Sequence, residues 1–118
     1  MLKMKENVYT HIPILEEKVV IGVFSENSLL GALTEEEIIY DKYTTRFNDE
    51  LIFKHCLIDN HVTEVFEFVS KNTYLEDVKE MFKKSFSQHK RLSLIFITEH
   101  GRKDEKLLGI ITPWDVLG

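Results

Sequence analysis

Three groups of residues in this 118-residue chain have types and spacings that can do chemistry. The first is Thr112 and Asp115 in "GIITPWD", near the end of the sequence. A hydroxyl followed three residues later by a carboxylate can serve an anion and a diol together. The hydroxyl donates to a phosphate, and the carboxylate oxygens accept from two vicinal hydroxyls. Pro113 suits the first position of a helix, where no N–H is needed. A helix starting there presents unpaired backbone N–H groups, which also favour an anion. The same spacing is equally that of a capping box, which stabilises a helix by about 1 kcal/mol with no ligand at all.

The second group is Ser25 and Ser28 in "VVIGVFSENSLL". Aligned on glycine, this segment matches "KLLGIITPWDVL", pairing Gly22 with Gly109, Ser25 with Thr112 and Ser28 with Asp115. A rival register pairs "LLGALTEEEI" with "LLGIITPWDV" and places Gly31, Thr34 and Glu37 in the corresponding positions. The first is preferred because it leaves "HIPIL" as the preceding strand, as "LIFIT" precedes "LLGIIT". A serine has one uncharged oxygen and cannot grip a diol as a carboxylate does, so plain capping is the expectation for Ser25 and Ser28. The third group is His55, Cys56, Asp59 and His61 in "KHCLIDNH". Zinc needs three or four convergent ligands, and no standard Cys/His pairing is present. A Cys/His nucleophilic pair would need an orienting group and an oxyanion element, and neither is visible.

The elements that must position these groups read as follows. Thr10 to Leu15 is a strand, with Pro13 marking it as an edge. Val19 to Phe24 is a second strand, joined to the first by the hairpin-length "EEK". Ser25 caps a short helix, and Thr34 with Glu37 has capping-box spacing. The segment from Thr44 to His61 is a helix or an irregular linker. Val62 to Ser70 is a strand. "TYLEDVKEMFKKSF" is the clearest helix: Leu75, Val78, Phe82 and Phe86 fall on one face beside Met81, and Thr73 with Glu76 makes a capping box. Leu92 to Thr98 is a strand, "EHGRKDE" a charged exposed loop, "LLGIIT" the partner strand, and "PWDVLG" opens a short helix.

Composition narrows the function. Apolar residues are 43% of the chain, enough for a packed core, and charged residues are 30%. The net charge of -5 disfavours a nucleic-acid polymer or an anionic membrane surface as partner. One cysteine excludes an internal disulfide. No apolar run is long enough to span a bilayer, and "MLKMKENVY" lacks the core of a secretory signal. A cytoplasmic protein is the expectation.

From Val62 onward the order is strand, helix, strand, strand, helix, ending on Gly-h-h-Thr-x-x-Asp, where h is apolar. In this the chain resembles the CBS-domain proteins, whose modules pack in pairs. The resemblance implies an α+β fold of tandem CBS modules, each a three-stranded sheet with helices on one face. Residues 1–61 would be a partial first module plus linker, lacking its opening strand and most of its first helix. Residues 62–118 would be the second module. It further implies a regulatory sensor that binds an adenine nucleotide (AMP, ADP or ATP) in the cleft between modules, as a regulatory ligand rather than a cofactor. Thr112 would face the phosphate and Asp115 the ribose, with Pro113 and Trp114 beside them. The adenine would lie on Val69, Ser70 and the strand containing Ile95 and Phe96. Ser25 and Ser28 would be the weaker counterpart. Trp114 is otherwise expected to be buried between modules, and Arg102, Lys103 and Lys106 to form a solvated loop. The other readings are a dimerising interaction scaffold without a functional ligand site, here a homodimer, and a small enzyme, for which no convincing set of residues is present.

Overall fold

In the computed structural model, residues 11–26, 28–31, 49–85 and 90–116 are described. Strands β1 (His11–Glu16) and β2 (Val19–Ser25) form a two-stranded sheet joined by Glu17 and Lys18. Both turn residues have positive φ, 51° and 70°, as a two-residue hairpin needs to match the twist of its strands. The capping box expected at Thr34 and Glu37 lies outside the described residues.

The chain divides into two compact units, one of Met1–Ile14 with Ile21–His61 and the other of Leu15–Val20 with Val62–Gly118. In the first unit, residues 26 and 28–31 are helical after β2, and helix α1 (Asp49–Cys56) lies within the segment expected to be a helix or linker. A 3-10 turn, Ile58–Asn60, follows. It ends α1 by satisfying two of its last carbonyls. Asn60 Nδ2 donates to the Lys54 carbonyl at 2.8 Å, and His61 Nε2 donates to that of Cys56 at 2.9 Å. Gly22 of β2 bridges Leu57, with Val23 and Cys56 buried nearby in sequence to each.

The second unit is built on a three-stranded sheet in the order β3 (Glu64–Ser70), β4 (Arg91–Thr98), β5 (Gly109–Ile111). β3 and β4 are parallel, so a crossover must join them, and helix α2 (Leu75–Ser85) supplies it. β4 and β5 are antiparallel, and the short helix α3 (Pro113–Val116) follows β5. Val69, Leu92 and Ile95 of the sheet form a core with Val78 and Phe82 of α2, and Val116 of α3 packs against it. From Leu92 to Phe96 every residue of β4 is buried, as befits a central strand. Phe96 has its ring 5.2 Å from that of Phe68 and 6.3 Å from that of Phe66. The register slips between Val65 and Phe66, leaving Ser93 of β4 as a bulge.

Helix α2 begins one residue later than its capping-box spacing predicts. Tyr74 supplies the first carbonyl, accepting from the N–H groups of Asp77 at 3.1 Å and Val78 at 3.3 Å. The Thr73 hydroxyl is instead turned to the preceding turn, 3.2 Å from Ser70 Oγ. Glu76 instead reaches forward to Lys79, at 3.6 Å. The helix face is also narrower than its period suggests: Val78 and Phe82 are buried, but Leu75 is 54% exposed. Phe86 lies outside the described residues.

Candidate functional site

Strand β5 carries the chain to Thr112, and Pro113 opens α3. Here the hydroxyl and carboxylate meet. The Thr112 N–H donates to Asp115 Oδ2 at 2.8 Å, and its hydroxyl donates to the same oxygen at 3.1 Å. The Asp115 N–H donates back to Thr112 Oγ1 at 3.3 Å. This reciprocal box holds the turn with both residues at the surface, Asp115 exposed and Thr112 half-buried. Both contacts to the carboxylate fall on Oδ2. Trp114, expected to be buried, is instead 63% exposed. It is the second residue of a four-residue helix whose packing residue, Val116, lies two positions on.

The serines repeat this geometry. The Ser25 N–H donates to Ser28 Oγ at 2.8 Å, and the Ser28 N–H donates to Ser25 Oγ at 3.3 Å. The match supports the register that pairs Gly22 with Gly109, since both glycines lie in strands while Gly31 of the rival is helical. The environment differs. Ser25 and Ser28 are 2% and 3% exposed, and the Ser28 hydroxyl is spent on the Ser25 carbonyl at 2.8 Å. This box is a buried cap.

Register separates the other expected site residues. Ile111 pairs with Ile95, so Thr112 leaves the sheet toward the amino ends of β3 and β4. Ser70 pairs with Thr98 and Val69 with Ile97, at the carboxyl ends. Ser70 therefore lies roughly 10 Å along the strands and roughly 10 Å across them from the end of β5. Val69 and Ser70, expected to carry the adenine, thus stand at the other end of the sheet from the turn that carries Asp115. Ile95 adjoins the turn in register, but Ile95 and Phe96 are both 0% exposed and serve as core. The residues that do share the amino end with Thr112 are Glu64 and Arg91, which pair with each other in the sheet. Glu64 is 2% exposed, accepts from the Ser93 hydroxyl, and lies 3.7 Å from the exposed Arg91 guanidinium. Strand alternation places Glu64 on the face of the buried Phe66, but a charged residue at the start of a strand reads as exposed from sequence.

The histidine and cysteine group does not converge. The Cys56 thiol lies 3.6 Å from Ser28 Oγ, while His61 caps α1. Among the described residues no cluster of three or more metal-ligating side chains occurs.

The loop after β4 is not merely solvated. Glu105 accepts from the His100 N–H at 2.8 Å and the Arg102 N–H at 3.1 Å, and lies 2.7 Å from His100 Nδ1. Partial burial pushes its carboxyl up, but the His100 ring and then the two backbone N–H groups outweigh this and hold it at about 2, against an ordinary 4.5. The Thr98 hydroxyl, buried without a well-formed partner of its own, adds the smallest downward pull. A carboxylate depressed in the folded state stabilises it fully above its unfolded pKa, and that contribution is lost as pH falls from about 4.5 to about 2. Glu105→Gln is accordingly expected to lower the thermal midpoint at pH 6. Its deficit against the parent protein should shrink steadily toward pH 2, as read by circular dichroism. A deficit that does not change with pH would remove the charge from this account.

The order β3-α2-β4-β5-α3, closed by a Thr-x-x-Asp turn, is the one anticipated from sequence. The crystal structure of CBSX2 in complex with AMP is similar to this chain with a TM-score of 0.54 and 20% identity, over 98% of this chain and 74% of that one. At that identity the likeness is one of fold. No curated protein matches the chain. The family model of the CBS domain matches residues 59–118, just over half of the 118 residues and the whole strand-helix-strand-strand-helix unit, so the chain belongs to the CBS-domain family.

Proposed function

We propose that this chain is a regulatory module that binds an adenine nucleotide at the Thr112–Asp115 turn, with residues 62–118 as its second CBS module and residues 1–61 as a partial first module and linker. The observation that carries the reading is the contrast between the two boxes. They share one hydrogen-bond pattern, but only the second is at the surface and only the second has a carboxylate. The AMP complex of a protein with this fold supports the choice of ligand class. In this reading Asp115 accepts from the ribose diol, and Thr112 turns its hydroxyl from the carboxylate to a phosphate. No reaction is proposed. The binding acts as a switch to the extent that ligand stabilises one arrangement of the protein over another.

Calorimetric titration with AMP tests this. Asp115→Ala removes charge-assisted hydrogen bonds worth about 1.5–3 kcal/mol, so affinity should fall roughly 10- to 100-fold. 2′-Deoxy-AMP should bind the parent protein more weakly than AMP, by roughly tenfold. Thr112→Ala should weaken binding as well. Each variant also loses a helix cap worth about 1 kcal/mol, which urea denaturation measures separately. Affinity unchanged in both variants rejects this site.

The second reading is a scaffold that dimerises without a ligand. It is favoured by Leu108, Ile110 and Trp114, which are 55%, 38% and 63% exposed around β5 and α3. Light scattering after size exclusion discriminates: a monomer at all accessible concentrations removes it. Among the described residues no helix is long and apolar enough to cross a membrane.

A further inference from the structure

We infer that the outer edge of β5 is an interface with a second copy of this chain, the two β5 strands pairing antiparallel about a two-fold axis at Ile110. The inference rests on the dimerising reading above, to which it gives a surface and a register, and is independent of the nucleotide reading.

The first observation is the edge itself. Backbone groups of a strand point alternately to its two sides. The Leu108 N–H donates inward to the Ile97 carbonyl of β4 at 2.7 Å, and the Leu107 N–H donates outward to the Lys18 carbonyl of the β1–β2 hairpin at 2.8 Å. Gly109 and Ile111 therefore present their N–H and C=O groups outward, away from β4. The internal repeat shows such an edge filled elsewhere in the chain. Gly22, the counterpart of Gly109, bridges Leu57, and a Cβ added there would strike the Cys56 backbone. A Cβ added at Gly109 would meet only Ile97 within 4 Å among the described residues. Among them, too, β4 is the one strand paired with β5. The second observation is what frames the edge. Leu108 and Ile110, on one face, and Trp114 beyond them are exposed. The hairpin closes the edge at Lys106, which bridges Val19, and Pro113 closes the other end, having no N–H to donate. The open window is Gly109 to Ile111, and a register centred on Ile110 uses all of it. Gly109 of each copy then exchanges N–H···O bonds with Ile111 of the other. The two Ile110 side chains meet on the axis with their Cβ atoms roughly 5 Å apart.

Charge complementarity selects a second copy as the occupant. The edge runs from an exposed cation, Lys106, to an exposed acid, Asp115. Antiparallel pairing lays the Lys106 end of one copy beside the Asp115 end of the other, and the two-fold axis does so twice. In this register Leu108 comes opposite Thr112 of the second copy, and Lys106 lies on the same strand face as Leu108. The Asp115 carboxylate is held at the Thr112 side chain through Oδ2, which leaves Oδ1 turned to the incoming ammonium. A parallel pairing would set Lys106 beside Lys106 and Asp115 beside Asp115. An edge complementary to itself in hydrogen bonds, apolar surface and charge closes into a dimer and leaves no strand edge at β5 to propagate. The window is short and the contact small, so the dimer is a weak one.

The test is sedimentation velocity of the intact chain, without nucleotide, from roughly 10 µM to roughly 1 mM. The sedimenting species is expected to shift from monomer to dimer across this range, and less so as salt rises. Ile110→Lys puts like charges on the axis and should abolish the shift. Lys106→Glu should weaken association severalfold, and Lys106→Glu/Asp115→Lys, which exchanges the two ends, should recover it. Ile110→Cys should form a disulfide between copies on mild oxidation, because residue 110 faces itself across the axis. Leu75→Cys, exposed on α2, supplies the control, and the native Cys56 is buried and does not compete. Circular dichroism establishes that each variant is folded. A dimer that survives Ile110→Lys, or one that cross-links no faster through Ile110→Cys than through Leu75→Cys, overturns the inference and assigns dimerisation to another surface. A monomer at every concentration overturns the inference and the dimerising reading together.

Discussion

Gly22→Ala is expected to destabilise the first unit by about 3 kcal/mol or more, out of proportion to one added methyl. A Cβ at Gly22 would sit 2.6 Å from the Cys56 carbonyl oxygen and 3.0 Å from its carbon. Those are backbone atoms. They cannot rotate away as a side chain does, so β2 and the end of α1 must separate. The Cys56 carbonyl is also the acceptor of the His61 Nε2–H, so a shift breaks a buried cap as well. Gly109, its partner in the internal repeat, supplies the control. There the added Cβ meets the Ile97 Cδ1 atom at 3.3 Å, the far end of a flexible chain. Gly109→Ala should change stability by under about 1 kcal/mol. Urea denaturation of both variants decides the matter. Similar losses at the two glycines would show that the close approach at Gly22 is not what the position requires.

Phe82→Ala carries the second large effect, a loss of about 3–5 kcal/mol. Phe82 is 1% exposed in the core that joins α2 to Val69, Leu92 and Ile95, and its removal leaves a cavity facing the sheet. Leu75→Ala on the same helix should lie within about 0.5 kcal/mol of the parent protein, because Leu75 is 54% exposed. Thermal or chemical denaturation of the pair measures the width of the buried face directly. A Leu75→Ala loss approaching that of Phe82→Ala would mean that the first turn of α2 is covered in solution.

The longer elements were legible because their patterns are redundant. β4 has eight residues, six of them among the most buried of the chain, and no reading of "LSLIFIT" other than a strand competes. The α2 period survives the loss of Leu75 from its face. The internal repeat was legible too, and its preferred register agrees with the hydrogen bonds down to the reciprocal pattern of the two boxes. Capping was less so. Thr73-x-x-Glu76 and Thr112-x-x-Asp115 look alike in sequence, but only the second forms a box. In the first the Thr73 hydroxyl lies against Ser70 Oγ of the preceding turn, a contact that a spacing rule does not weigh.

The candidate site divides along the same line. Its chemistry was present in the residues themselves: a hydroxyl, a proline and a carboxylate at helix-start spacing after an apolar strand. Its neighbours were not. Val69 and Ser70, expected to carry the adenine, lie at the opposite end of the sheet from the turn. Glu64 and Arg91 were passed over and share the end toward which Thr112 turns.

Local periodicity and the identity of the turn residues thus sufficed for the strands, the long helix, the repeat and the family. What the tertiary structure alone decided was direction and depth: that β5 runs against β4, that Ser25 and Ser28 are buried while Asp115 is exposed, and that Glu64 is buried against the Ser93 hydroxyl. The reason is that spacing along a chain constrains only near neighbours. Which end of a sheet a residue reaches depends on pairings between segments far apart in sequence, and burial depends on what those pairings bring against it.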